Sequence, residues 1–159
     1  MAGREQGGLA QARRSLFERA AWILTPSELT QPRAVEMVAG IIPTFGAYAV
    51  MMTPAEHDET VALLSHLPHV VAGLLVDMAT VLRRTDVAAG SWSDLTRVAG
   101  ADPVLWTDIV MANRKHLTAS LASLGERLGE LAPIIEAGDR DAIFEFFSKA
   151  KRLKDASGK

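Results

Sequence analysis

Two histidines, His66 and His69, lie three residues apart in the sequence with a proline between them. At about 100° per residue, the two imidazoles share one helix face with Gly73 and Asp77. Pro68 has no N–H to donate and its ring crowds the carbonyl four residues earlier, so it should kink the helix and leave a carbonyl in need of a partner. This pattern fits one wall of a ligand site as well as it fits a pair of structural histidines. A metal site is disfavoured, because two histidines without a nearby carboxylate or third histidine are an incomplete ligand set.

A second candidate pair is Asp94 and Arg97, spaced i and i+3 on a short predicted helix. An exposed ion pair of this kind contributes little to stability. In the alternative interpretation, Arg97 presents its planar guanidinium to a carboxylate ligand and Asp94 holds it in place. Trp106 follows nine residues later and fits either a core residue or a wall of a small organic ligand's site. The spacing alone leaves these alternatives open.

Alternating elements are predicted in the first 52 residues. Two helices (9–20 and 31–42) alternate with two short apolar strands (Trp22–Thr25 and Tyr48–Met52). This order is typical of an α/β layer, but two strands are too few for an independent sheet. We therefore interpret residues 1–52 as the edge of a larger α/β domain.

At Thr53 the pattern becomes entirely helical. Thr53 is placed to be an N-cap, Pro54 the first helical residue and Glu56 the acid of a capping box. This helix is predicted to reach about Arg84. Further helices are predicted over 91–99, from Asp102 through the later leucines until Pro133, and from Asp139 onward. The fold class is therefore mainly α, with an all-helical domain over residues 53–159.

Two apolar seams run along the predicted long helices, at alternating spacings of three and four. They comprise Leu64, Leu67, Val71, Leu74, Met78 and Val81 in the first helix, and Leu117, Leu121, Leu124, Leu128 and Leu131 in the second. The seams either pack on each other within one chain or form a bundle shared by two chains, and the pattern favours neither. His57 and Asp58 are expected in the first turn of a helix, and His116 on an exposed surface.

The composition excludes several classes of protein. A formal charge of −2 on 159 residues argues against a nucleic-acid binder with a basic surface. The absence of cysteine excludes disulfides and thiolate chemistry and fits the cytoplasm. No run approaches the roughly 20 apolar residues of a membrane span, and the N-terminus is unlike a signal peptide. A complete two-domain cofactor enzyme does not fit this length.

Three motifs in order resemble the prephenate and arogenate dehydrogenase family. His57-Asp58 followed by the SHLPH stretch at 65–69 resembles the family's HD…SHLPH helix. The DLTRVA stretch at 94–99 is similar to its D-x-T-R-I/V-A motif, and ADPVLW at 101–106 to its xDPxxW element. Asn113 lies where the family also has an asparagine. The resemblance covers nearly the whole chain.

The resemblance implies an all-α dimerisation domain, similar to the C-terminal domain of 6-phosphogluconate dehydrogenase, preceded by the end of a Rossmann domain. It implies a cytoplasmic homodimer in tyrosine biosynthesis that oxidatively decarboxylates prephenate or arogenate with NAD or NADP. No nucleic acid or membrane is implied as a partner. The residues that match the family's substrate pocket are His66, His69, Gly90, Asp94, Arg97 and Trp106, with Arg97 binding a substrate carboxylate.

Two departures from the family pattern shape the expectation for this chain. The family's catalytic histidine would lie just upstream of Met1, and no G-x-G-x-x-G loop follows a strand. The chain therefore resembles a C-terminal fragment that is inactive alone, holds no catalytic residue and binds no cofactor tightly. The alternative is a non-catalytic helical module for dimerisation or ligand binding.

Overall fold

A computed structural model describes residues 12–13, 15–82 and 84–157 of the chain. By internal contacts the chain divides into two compact units, the first ending at Thr118 and the second beginning at Ala119. The described part is mainly helical and has two strands, as predicted. The strands are β1 (Ala21–Leu24) and β2 (Tyr48–Met51), and the α-helices are α1 (Pro32–Ile41), α2 (Pro54–Val61), α3 (Leu67–Ala79), α4 (Gly90–Thr96), α5 (Pro103–Ala112), α6 (Arg114–Glu136) and α7 (Arg140–Ala156).

The two strands form a parallel β-α-β crossover around α1. Their register pairs Ala21 with Tyr48 and Leu24 with Met51. A short 3₁₀ segment (Ile42–Phe45) follows α1 and ends at Gly46, whose φ of 74° is left-handed and turns the chain into β2. Ile42 is almost fully buried beneath this crossover. Both predicted strands and the helix between them are confirmed.

The helix predicted over residues 9–20 is wrong in the part that the structure describes. Residues 15–19 form turns. Arg19 adopts a left-handed φ of 58°, which an α-helix does not accommodate, and its N–H donates to the Gly46 carbonyl at 2.7 Å. This turn delivers the chain into β1. Residues 9–11 and 14 lie outside the described residues.

The start of the long helix at Thr53 is as predicted. The Thr53 hydroxyl accepts from the Glu56 N–H at 3.2 Å, and the Glu56 carboxylate accepts from the Thr53 N–H at 2.7 Å. Together these bonds form a capping box. The helix ends at Ala79 rather than near Arg84, because the Thr80 hydroxyl and N–H both turn back to the Asp77 carbonyl.

The irregularity expected at Pro68 is a π turn immediately before it. Residues 62–66 form this turn between α2 and α3, and Pro68 falls in the first turn of α3, where a missing N–H disrupts least. Widening the helix by one residue thus accommodates the proline. The same widening changes which side chains face inward.

The long helix buries most of its small and polar face together with Leu67, and it exposes several of its other apolar side chains. Ala62, Ser65, His66 and Ala72 are buried. Small side chains here let α4 and the 3₁₀ segment Arg97–Gly100 pack against α3. The exposed apolar residues of the first seam are Leu64, Leu74, Met78 and Val81.

The helix predicted to start at Asp102 is two helices rather than one. Asp102 caps α5 by accepting from the Val104 and Leu105 N–H groups, as expected. The chain breaks at Asn113 (φ −115°, ψ 27°), and α6 begins after it. Pro133 was expected to end a helix, but it lies inside α6. Pro133 removes one backbone hydrogen bond of the helix, which nevertheless continues to Glu136. Asp139 caps α7 as predicted.

The segment Pro54–Ala79 is long and apolar enough to cross a membrane, with a mean hydropathy of 1.6 over its most apolar window. The sequence contains no uninterrupted run of about 20 apolar residues, but the mean hydropathy of this helix is high because its polar residues are few. One such helix is weak evidence, because a core helix of a soluble protein passes the same test.

Candidate functional site

Three aromatic rings form a cluster between α3 and α5. The Trp106 indole stacks on the His69 imidazole, with ring centroids 3.6 Å apart and planes at 20°. His66 meets the same indole edge-on, at 6.0 Å and 84°. The Asp102 cap begins α5 and places Trp106 within its second turn. The structure therefore brings together three of the six residues predicted for the site.

A hydrogen bond fixes the ring of His69. Its Nδ1 lies 2.9 Å from the carbonyl oxygen of Ser65. A carbonyl only accepts, so Nδ1 carries the proton and donates. The sequence predicted that Pro68 would leave the carbonyl of Leu64 in need of a partner. In the structure, the His69 side chain bonds to the carbonyl of Ser65, one residue later. The opposite ring nitrogen of His69 is left for other partners.

His66 belongs to a buried polar network centred on Asn113. Both side chains are less than a tenth exposed, and the His66 Nδ1 lies 3.4 Å from the Asn113 Nδ2. The same Nδ2 donates to the Asp58 carbonyl at 2.7 Å, and the Asn113 Oδ1 lies 3.0 Å from the His116 Nδ1. His116, expected on an exposed surface, is instead half-buried and bonded. The network joins α2, the π turn and the start of α6.

The surroundings of His66 favour its neutral form. Burial lowers the pKa of His66 because it penalises the charged imidazolium. The neighbouring His69 and His57 lower this pKa further, and Asp58 opposes them weakly. His57 itself bonds through Nδ1 to the Asp58 carboxylate at 2.9 Å, in the first helical turns as predicted. His66 is therefore a neutral hydrogen-bonding group at neutral pH.

The other three predicted residues lie on the segment that packs against α3. Gly90 begins α4 and Asp94 is exposed near its end. Arg97 is also exposed and begins the 3₁₀ segment that contacts α3. The pairing of Asp94 with Arg97 stays a prediction.

Sequence reasoning did not find the role of Asn113. The resemblance drew attention to its position, and it is the only asparagine in the chain. Its partners come from Asp58 and His66, some fifty residues earlier, and no local pattern shows that pairing. The break between α5 and α6, which places Asn113, was also missed.

The described residues hold no cluster of metal ligands, and an apolar cleft lies at the end of β1. No three histidine, aspartate or glutamate side chains among them converge on a common point. At the end of β1 lies an open cleft of about 210 Å³, lined by Leu24, Thr25, Pro26, Thr30, Ala34, Val35 and Val38. Dinucleotide sites of the Rossmann type typically hold the pyrophosphate on a glycine-rich turn at a helix N-terminus, and no glycine lines this cleft.

Two parts of the sequence match one family. Residues 53–149 match "Prephenate dehydrogenase, dimerization domain" and residues 1–53 match "Prephenate dehydrogenase, nucleotide-binding domain". Among curated proteins, the chain is 33% identical to prephenate dehydrogenase of Bacillus subtilis over 98% of its length and 43% of that protein's. It is also 33% identical to cyclohexadienyl dehydrogenase of Zymomonas mobilis, over 97% of this chain and 55% of that one.

Solved structures agree with these sequence matches. Prephenate dehydrogenase from Aquifex aeolicus, solved with hydroxyphenyl propionate and NAD+, superposes with a TM-score of 0.87 at 28% identity, over 97% of this chain and 56% of that one. Arogenate dehydrogenase from Synechocystis gives a TM-score of 0.82 at 27% identity, over 97% and 58%. The chain thus spans about half the length of the proteins it matches. By sequence and by fold, the chain belongs to the prephenate dehydrogenase family.

Proposed function

We propose that this chain forms the substrate-binding part of a dehydrogenase that oxidatively decarboxylates prephenate or arogenate with NAD or NADP, in tyrosine biosynthesis. The similar proteins carry prephenate, arogenate and cyclohexadienyl dehydrogenase names. The observation that carries the proposal is the stack of Trp106 on His69 with His66 edge-on. A flat face beside two imidazoles suits a six-membered ring that bears polar groups.

In this proposal, Arg97 binds a carboxylate of the substrate. Prephenate carries two carboxylates, of which one leaves as carbon dioxide while the other anchors the molecule. A guanidinium binds a carboxylate through two parallel hydrogen bonds, and Arg97 is exposed on the segment that contacts α3. Gly90 and Asp94 would border the same pocket from α4. These three assignments rest on the family motifs and on their shared packing against α3.

We expect the 159-residue chain alone to bind NAD or NADP weakly and to give no turnover. A bound nicotinamide supplies the hydride acceptor, and the acceptor must be held against the substrate for reaction. The described residues bind and orient the substrate in this account. No catalytic residue is assigned among them.

A homodimer is proposed because α7 carries an exposed apolar face. Phe144 is 71% exposed, Phe147 65% and Leu153 63%, although the helix is amphipathic and carries charges on its other side. The matched family domain is named for dimerisation, and a second copy would cover this face. The second candidate function is a dimeric module that binds a ligand without catalysis. The proposed location is the cytoplasm.

The direct test is a calorimetric titration with prephenate, arogenate and 4-hydroxyphenylpyruvate, together with a turnover assay. We expect binding without coenzyme reduction. Arg97→Ala should weaken binding by about 2–5 kcal/mol. Arg127→Ala, which removes an exposed arginine of the second unit, is the matched control and should bind normally. Equal affinity in wild type and Arg97→Ala would remove Arg97 from the site, and turnover with NAD or NADP would contradict the inactivity.

A further inference from the structure

The side-chain amide of Asn113 has three polar neighbours on three different segments. Its Nδ2 lies 2.7 Å from the Asp58 carbonyl and 3.4 Å from the His66 Nδ1, and its Oδ1 lies 3.0 Å from the His116 Nδ1. Asn113 is 7% exposed, so water does not compete freely for these bonds. The geometry therefore determines which atoms carry protons.

The backbone carbonyl of Asp58 fixes the orientation of the amide. A carbonyl oxygen only accepts hydrogen bonds, so the Asn113 atom that faces it at 2.7 Å must be the NH₂ group. The Oδ1 then faces His116. Since an amide oxygen also only accepts, His116 must donate from Nδ1.

The orientation of the amide in turn fixes the proton of His66. The NH₂ group of Asn113 donates its second hydrogen toward the His66 Nδ1, which must accept. A neutral imidazole that accepts at Nδ1 carries its proton on Nε2. No fully buried side-chain nitrogen or oxygen among the described residues lacks a hydrogen-bond partner. No such partner is found there for the His66 Nε2, so this atom is not fully buried and its N–H can donate to a ligand.

His69 has the opposite arrangement. Its Nδ1 donates to the Ser65 carbonyl at 2.9 Å, so its neutral ring presents a lone pair at Nε2. The two imidazoles beside Trp106 thus differ in what they offer. His66 offers an N–H donor, and His69 offers an acceptor.

We propose that Asn113 is a positioning residue that holds His66 with its proton on Nε2, so that the cluster of His66, His69 and Trp106 presents one donor and one acceptor. A ligand that suits this pair has a carboxylate or carbonyl oxygen for His66 and a hydroxyl or ammonium hydrogen for His69. This ligand rests on the proposed function, whereas the tautomers rest on the contacts of Asn113 and Ser65 alone.

Ring-nitrogen NMR of the whole chain with labelled histidine tests the tautomers without any ligand. The chain has four histidines, so replacing His57, His69 and His116 with glutamine one at a time assigns every ring. At neutral pH we expect His66 protonated on Nε2, and His69 and His116 protonated on Nδ1. Protonation of His66 on Nδ1 would overturn the proposal.

Asn113→Asp tests whether the amide is the cause. A carboxylate cannot donate, so His66 should move its proton to Nδ1, and its pKa should rise by about 1–3 because an anion now lies beside it. The other titratable groups near His66 stay in place in this variant. They are His57, Asp58 and His69, together with His116, which contacts residue 113. Ala112→Asp adds the same charge at an exposed neighbouring position and should leave the His66 tautomer unchanged.

An unchanged His66 tautomer in folded Asn113→Asp would contradict the positioning role. Folding of both variants is checked by circular dichroism. If Asn113→Asp does not fold, the wild-type tautomers decide, because a positioning role for the amide requires His66 to accept at Nδ1. Absence of ligand binding with the predicted tautomers would count against the proposed function and not against this inference.

Discussion

The His69 imidazole lies face to face with the Trp106 indole, 3.6 Å between ring centroids, although the two residues come from different helices. This stack joins α3 to α5 at the point where the histidine pair meets the capped start of α5. Both rings are only half-buried, so the stack keeps an open side. It is the part of the candidate site that the structure defines most fully.

The stack should be measurable as an energetic coupling. We expect the double replacement His69→Leu and Trp106→Leu to be less destabilising than the sum of the single changes, by about 0.5–1.5 kcal/mol in the free energy of unfolding, as is typical of aromatic pairs. Urea denaturation of the four proteins gives this coupling. The pair His69→Leu and Trp92→Leu is the control and should be additive. Additivity in the first cycle would show that the stack contributes nothing.

The depressed pKa of His66 predicts a loss of stability in acid. In the unfolded chain this imidazole takes up a proton near pH 6.5, whereas in the folded chain it does so only at lower pH. The contribution is therefore fully present above pH 6.5 and is lost as the pH falls through the folded pKa. Urea denaturation across this range should show the decline, and His66→Gln should flatten it. A decline of equal steepness in His66→Gln would assign it to other groups.

The capping box at the start of α2 should make a separable contribution to stability. Thr53→Ala removes the hydroxyl that accepts from the Glu56 N–H and should lower the free energy of unfolding by about 1 kcal/mol. Thr53→Ser keeps the hydroxyl and should retain most of it. The pKa of Glu56 is lowered mainly by the Thr53 N–H and to a lesser extent by the Thr53 hydroxyl, so Thr53→Ala should remove only the smaller part of that lowering. Equal stability of the alanine and serine variants would exclude the cap as a contributor.

These local signals were the part of the fold that the sequence could predict. Thr53, Asp102 and Asp139 each bond to N–H groups two or three residues away, so neighbouring residues are enough to identify a cap. The break at Asn113 and the burial of His116 depend on contacts with α2, far away in the sequence. The first seam lies on the helix as far as Met78, whereas Val81 lies beyond its end at Ala79. Which face of the helix is covered depends on neighbours that hydrophobic spacing does not specify.

The exposed face of α7 predicts self-association. Phe147→Glu places a charge at a position that is 65% exposed in the single chain. Because burying this charge in an interface costs desolvation free energy, the substitution should shift a dimer toward monomer. Sedimentation velocity at micromolar concentration reads out the change. Lys149→Glu alters the helix about 200° away from that face and should leave the dimer intact. A wild-type monomer would exclude the proposed homodimer.

The most direct test of the central claim, that the His66, His69 and Trp106 cluster is the substrate site, is an NMR titration of the chain with hydroxyphenyl propionate. This compound was bound in the similar Aquifex aeolicus structure. We predict saturable shifts of the His66, His69 and Trp106 ring signals, with His57 unchanged and the shifts weakened in Arg97→Ala. Saturable binding that leaves these three rings unchanged would contradict the account.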